Sequence, residues 1–148
     1  MSIKEFDKQI ESLFKQAHEA GEEAAKRCKP TPMIVGRAKG FSNEIDFSQP
    51  TEIVDGGACG FAYVQFAKGQ RKLFNSIKRL IEKYEYDHPG SRYHSYGHKD
   101  SYHGGWYFGP TGMASQTQSM EIKEAYCRAA AKVFNDAGFE AYMWSRMD

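Results

Sequence analysis

The order of hydrophobic periodicities predicts an α+β fold, a single structural domain in which a long N-terminal helix precedes a mixed sheet of about four or five strands with two helices on one face. Three observations lead there. Apolar residues at three- and four-residue steps open the chain, an alternating run covers 59–66, and two further helical stripes alternate with short apolar runs toward the C-terminus. Residues 1–29 read as an amphipathic helix and 30–148 as a compact α+β body.

Ile3, Phe6, Ile10, Leu13, Phe14, Ala17 and Ala24 fall on one stripe, and six acids and six bases share the rest of 2–29, as on a solvated face with i,i+4 pairs. Pro30 and Pro32 stop this helix. Met33–Val35 and Thr51–Val54 read as short strands separated by loop-forming Gly, Ser, Asn and Pro. Cys59 to Phe66 is a clearer strand, with Cys59, Phe61 and Tyr63 on one side and Ala62, Val64 and Phe66 on the other. Apolar residues on both sides predict a central strand covered on both faces. Lys68 to Tyr86 is a second helix with Leu73, Phe74, Ile77, Leu80, Ile81 and Tyr84 inward, and Gly104 to Phe108 is a short aromatic strand. Ser119 caps a third helix whose stripe runs from Ile122 to Ala137, Gly138 ends it, and Phe139 to Trp144 is the last strand. Helices in two crossovers predict some parallel pairing.

Twenty Lys and Arg oppose nineteen Asp and Glu, so a net charge of +1 excludes indiscriminate coating of nucleic acid or anionic membrane. Cys28, Cys59 and Cys127 show no disulfide or zinc spacing, which reads as a reduced, cytoplasmic chain. No signal peptide or membrane span is legible, and no cofactor is implied.

The charges are unevenly placed. Between Lys68 and Lys83 six bases meet one acid, and Arg71, Lys72, Lys78, Arg79 and Lys83 fall in one arc opposite the apolar stripe. Such a face suits phosphates, unless acids of neighbouring elements neutralise it. Residues 86–108 hold seven of the 21 aromatics and four of the five histidines. Tyr93, Tyr96, Trp106 and Tyr107 stand there as rings for stacking on bases, or as a loop packed on itself. His94 and His98, four apart, are weak metal candidates, because the glycines and proline around them oppose a helix. Cys59, in a glycine-rich turn, is a weak nucleophile candidate with His94, His98 or His103 as base, but it opens a strand and lacks a helix dipole. Arg146 stands beside the Asp148 side chain and terminus, as in a salt-bridged chain end.

Cys59-Gly60-Phe61-Ala62-Tyr63-Val64, the run from Gly104-Gly105-Trp106 to Gly109-Pro110, and the segment from Gln118-Ser119 through Lys123, Ala129, Val133, Phe134 and Gly138 to Ser145-Arg146-Met147-Asp148 resemble a loose group of small proteins of tailed bacteriophages. The resemblance implies a phage origin and a host-cytoplasm setting, with no activity attached. Together these observations lead to a non-catalytic protein that binds nucleic acid or a nucleotide through the basic helix and aromatic loop. The rival readings are a module that docks on a host or virion protein, as an oligomer through the first helix, and a small Cys/His enzyme.

Overall fold

The computed structural model describes residues 1–91 and 94–148. Ser2 starts α1 (Ile3–Arg27) with a capping box: its Oγ accepts the Glu5 N–H at 3.1 Å, and the Glu5 carboxylate accepts the Ser2 N–H at 3.1 Å. Most of the predicted stripe turns inward, with Ile10, Leu13, Phe14 and Ala17 buried and Gly21 buried beside them, while Ile3 stays exposed. β1 (Met33–Gly36) and β2 (Thr51–Val54) pair antiparallel as a separate two-stranded sheet that leaves Ile34, Val35 and Ile53 exposed.

The body contains β3 (Gly60–Phe66), α2 (Arg71–Asp87), β4 (His98–Lys99), β5 (Trp106–Phe108), a one-turn α3 (Met113–Gln116), α4 (Met120–Asp136) and β6 (Ala141–Met147). Ser119 caps α4, its Oγ accepting the Ile122 N–H, and Gly138 beyond the helix end takes φ +94°, a conformation that favours glycine. The sheet order is β4-β5-β3-β6.

Every neighbour in that sheet is antiparallel, which corrects the expectation of a mixed sheet with parallel pairs. The physical reason lies in the strand order. α2 does carry the chain from β3 to a strand of the same direction, β4, and α4 carries it from β5 to β6, but β5 and β3 are inserted between the members of each pair. These are two interleaved β-α-β units, the split arrangement of ferredoxin-like sandwiches. β4 escapes prediction because it is two residues long and flanked by glycines and polar residues.

α4 packs on β3 and β6, and α1 lies along α4 and against α2. The core forms between these helices and the face of the sheet that carries Ala62, Val64, Phe66, Trp106 and Phe108. Phe14 of α1 is its centre, with ring centroids of Phe66, Phe108, Phe134 and Tyr96 at 6.1, 5.2, 4.9 and 5.1 Å. The middle of the α1 stripe, Ile10, Leu13, Phe14 and Ala17, is thus buried within its own chain, while Ile3 at the start of the helix stays 66% exposed. The second correction concerns β3. The helices cover only one of its faces; on the other, Phe61 is 37% exposed and Tyr63 half-buried, while Gln65 is buried by its neighbours within the sheet. Among the described residues no helix is long and apolar enough to cross a membrane.

Candidate functional site

The uncovered side of the four-stranded sheet is built by strand alternation. Cross-strand partners share a face, so Phe61 stands with Arg146, Tyr63 with Trp144, and Gln65 with Tyr142 and Tyr107, while Tyr107 also stands with His98. The rings meet edge to face or tilted: Tyr63 and Tyr107 have centroids 5.5 Å apart at 89°, Tyr63 and Trp144 4.8 Å apart at 31°, and His98 and Tyr107 5.8 Å apart. Gln65 holds the row together. It is 3% exposed, accepts the Trp144 indole N–H at 3.3 Å and donates to the Gly104 carbonyl at 3.2 Å. Two rings of this row stand on the central strands β3 and β5 and one on the edge strand β6.

Basic side chains stand at both ends of the row. At the Phe61 end the Arg146 guanidinium is 5.4 Å from the ring centroid and the Lys123 ammonium 4.9 Å, with Lys123 also donating to the Gly60 carbonyl at 3.1 Å. Arg146 forms no ion pair among the described residues, so the expected salt-bridged terminus is not what holds it. At the Gln65 end, Arg71 and Lys78 of α2 line a cavity of about 330 Å³ that reaches Gly105, the neighbour of the Gln65-bound Gly104.

The five predicted cations of α2 divide between two environments. Arg79 donates from Nε and Nη2 to the two Asp7 carboxylate oxygens, both at 2.8 Å, and Lys83 lies 3.8 Å from Glu11. α1 therefore answers two of them, because Asp7 and Glu11 are one turn apart on its side toward α2. The Arg79 guanidinium, aided by the Ser76 hydroxyl at 2.6 Å, holds the Asp7 carboxyl below its ordinary range against the opposing effect of burial. Arg71, Lys72 and Lys78 form no ion pair among the described residues.

The aromatic segment divides as well. Trp106 is 5% exposed, its indole N–H donated to the Tyr96 carbonyl at 2.6 Å, and Tyr96 is packed edge-on against Phe14. Both are structural rings, and of the four predicted stackers Tyr107 alone is shown on the open face; Tyr93 lies outside the described residues. Tyr63 and Trp144 were missed as site residues. Their signal is the two-residue alternation of the strands: in β3 it predicts cover on both faces where the helices cover one, and in β6 it assigns neither face.

His94 and His98 have ring centroids 6.0 Å apart, and among the described residues no three His, Cys, Asp or Glu side chains are grouped to hold a metal ion. Burial and the neighbouring His98 push the His94 pKa down. Cys59 lies beside Gln118, 3.6 Å from its Oε1. His98 stands opposite Tyr107, and Tyr107 opposite Gln65, six residues or about 20 Å of strand from Cys59. His94 contacts His98, and His103 binds Asp100 in the β4–β5 turn, so all three imidazoles stand at the far end of the sheet from the thiol. The Cys/His pairing lacks the geometry for proton transfer.

No protein family, curated protein or solved structure matches the chain. Function is therefore argued from the site alone. Its main rival on the surface is a cavity of about 520 Å³ between α1, α2 and residues 94–96, where Glu11, Glu19 and Glu22 oppose Lys15 alone. That lining repels phosphate. The open sheet face instead carries aromatic rings with Arg146 toward one end and Arg71 and Lys78 toward the other.

Proposed function

We propose that the protein binds single-stranded nucleic acid on the open face of its four-stranded sheet, with bases stacking on Tyr63, Tyr107 and Trp144. Phosphates would be drawn by Arg146 at one end and by Arg71, Lys78 and Lys68 at the other. The observation that carries this reading is the row of three rings on the uncovered side of an antiparallel sheet whose helices all lie on the other side. Aromatic rings on central strands of such a sheet stack splayed bases regardless of sequence, and a flat open face suits a single strand better than a duplex. Catalysis is not part of the reading.

Fluorescence anisotropy with labelled single-stranded RNA and DNA oligonucleotides tests it. Tyr63→Ala and Trp144→Ala should each weaken binding about tenfold or more. Four phosphate contacts would give a log–log salt slope of about −3, reduced by about 1.4 in Arg71→Glu with Lys78→Glu. No binding at low salt, or full affinity in both ring variants, overturns the proposal. Equal affinity for a mononucleotide and for the oligonucleotides would redefine the ligand as a nucleotide.

A second reading, docking on a host or virion protein, is favoured by the β1–β2 sheet, where Ile34, Val35, Ile53 and the nearby Phe41 and Phe47 are exposed. An interaction lost in Ile34→Ser with Ile53→Ser, with oligonucleotide binding intact, would assign that function to the hairpin.

A further inference from the structure

We propose that the protein self-associates as a two-fold dimer by antiparallel pairing of β6 with the β6 of a second copy, making one eight-stranded sheet. The two edges of the four-stranded sheet are unlike. β4 is two residues long and carries Lys99, which are ordinary protections against edge pairing. β6 is seven residues long, has no proline or lysine, and ends the sheet order with no strand beyond it among the described residues.

Ladder alternation identifies the free groups. Asp148 donates its N–H to the Cys59 carbonyl, and Ala67 donates to the Glu140 carbonyl, each at about 3 Å. The even-numbered residues of β6 therefore turn their backbone groups toward β3, and Ala141, Met143, Ser145 and Met147 turn theirs outward. The outward Ala141 N–H is already donated to the Asn135 side chain at 3.0 Å. The free stretch is Met143 to Met147, and its centre is Ser145.

A two-fold axis at Ser145 pairs Ser145 with its own copy, Met143 with Met147, and Trp144 with Arg146. The strand is complementary to itself in this register. On the open face each indole gains a guanidinium, a favourable cation and ring pair, twice by symmetry, and on the inner face two thioether pairs close the seam. A β6 of any other partner would need to supply both features by chance, which is why a second copy is the occupant argued here. The proposal stands independently of nucleic-acid binding, although it would join two aromatic rows into one.

Sedimentation velocity at tens of micromolar, together with amide hydrogen exchange by NMR, tests it. The expected result is a dimer in which the Met143, Ser145 and Met147 amides exchange slowly. Ser145→Pro removes one outward N–H and spares the ladder to β3, so it should give a monomer with unchanged circular dichroism. Arg146→Glu, an exposed change that keeps the fold whether or not the proline is tolerated, should weaken association about tenfold or more. A monomer for the unsubstituted chain overturns the proposal, as does a dimer whose three amides exchange freely. Undiminished association in Arg146→Glu also overturns it.

Discussion

His18 is the residue whose chemistry differs most between chain and fold. Its Nε2–H donates to the Ser95 carbonyl at 2.9 Å, which leaves Nδ1 to accept the Tyr126 hydroxyl at 2.6 Å, and the Tyr126 oxygen takes the Thr111 hydroxyl at 2.9 Å. This arrangement needs a neutral imidazole. Burial pushes the His18 pKa below its ordinary 6.5, outweighing the upward effects of the Ser95 carbonyl and Glu22, and burial likewise pushes the Tyr126 phenol up to about 12. The unfolded chain binds this proton first on acidification, so the contribution is complete above the unfolded pKa and is lost as pH falls toward the folded one. The thermal midpoint should fall between about pH 7 and 5, and His18→Gln should flatten that decline. Part of the slope will persist through His94, whose pKa is lowered in the same sense. An unchanged slope in the variant would remove His18 from this account. Nothing in the sequence marked His18, because its partners come from residues 95, 111 and 126, three separate segments brought together only by folding.

At the scale of elements, the closest packing is between α1 and α4. A Cβ at Gly21 would stand 2.6 Å from the Tyr126 ring, which is fully buried and anchored through its hydroxyl. Alanine gains about 1 kcal/mol of helix propensity over glycine, but overpacking a ring that cannot move away costs about 1–3 kcal/mol. Gly21→Ala should therefore lower stability by about 1 kcal/mol in urea unfolding, against the gain expected at an exposed helical glycine. Helix positions were legible in the sequence, since stripes, the Ser2 and Ser119 caps and the proline stop are local signals. The polarity of β3 was not. Phe61, Tyr63 and Ala62, Val64 differ little in hydrophobicity, so alternation gives the two sides of a strand without saying which one a helix covers. The basic arc of α2 was legible too, but its partial neutralisation required Asp7 and Glu11 from a helix some 70 residues earlier.

For the whole molecule, the decisive contact set is the aromatic cluster around Phe14, which joins α1, α4, β3, β5 and the 94–97 segment. Phe14→Ala should cost about 3–5 kcal/mol, a large share of the roughly 5–15 kcal/mol that holds an ordinary domain, and the loss should be cooperative across all probes. Loss confined to α1, with the sheet still folded, would show the helix to be an appendage instead of part of the core. The sequence by itself determined the α+β class, the three long helices, most strand positions and the cationic arc, because periodicity, capping and charge are read within a few turns of chain. The tertiary structure alone decided the strand order, the antiparallel pairing, which rings face outward and which cations are free. Those outcomes depend on contacts between residues far apart in sequence: β5 enters between β3 and β4, α1 supplies acids to α2, and one helical layer on one side of the sheet leaves Tyr63, Tyr107 and Trp144 on the other.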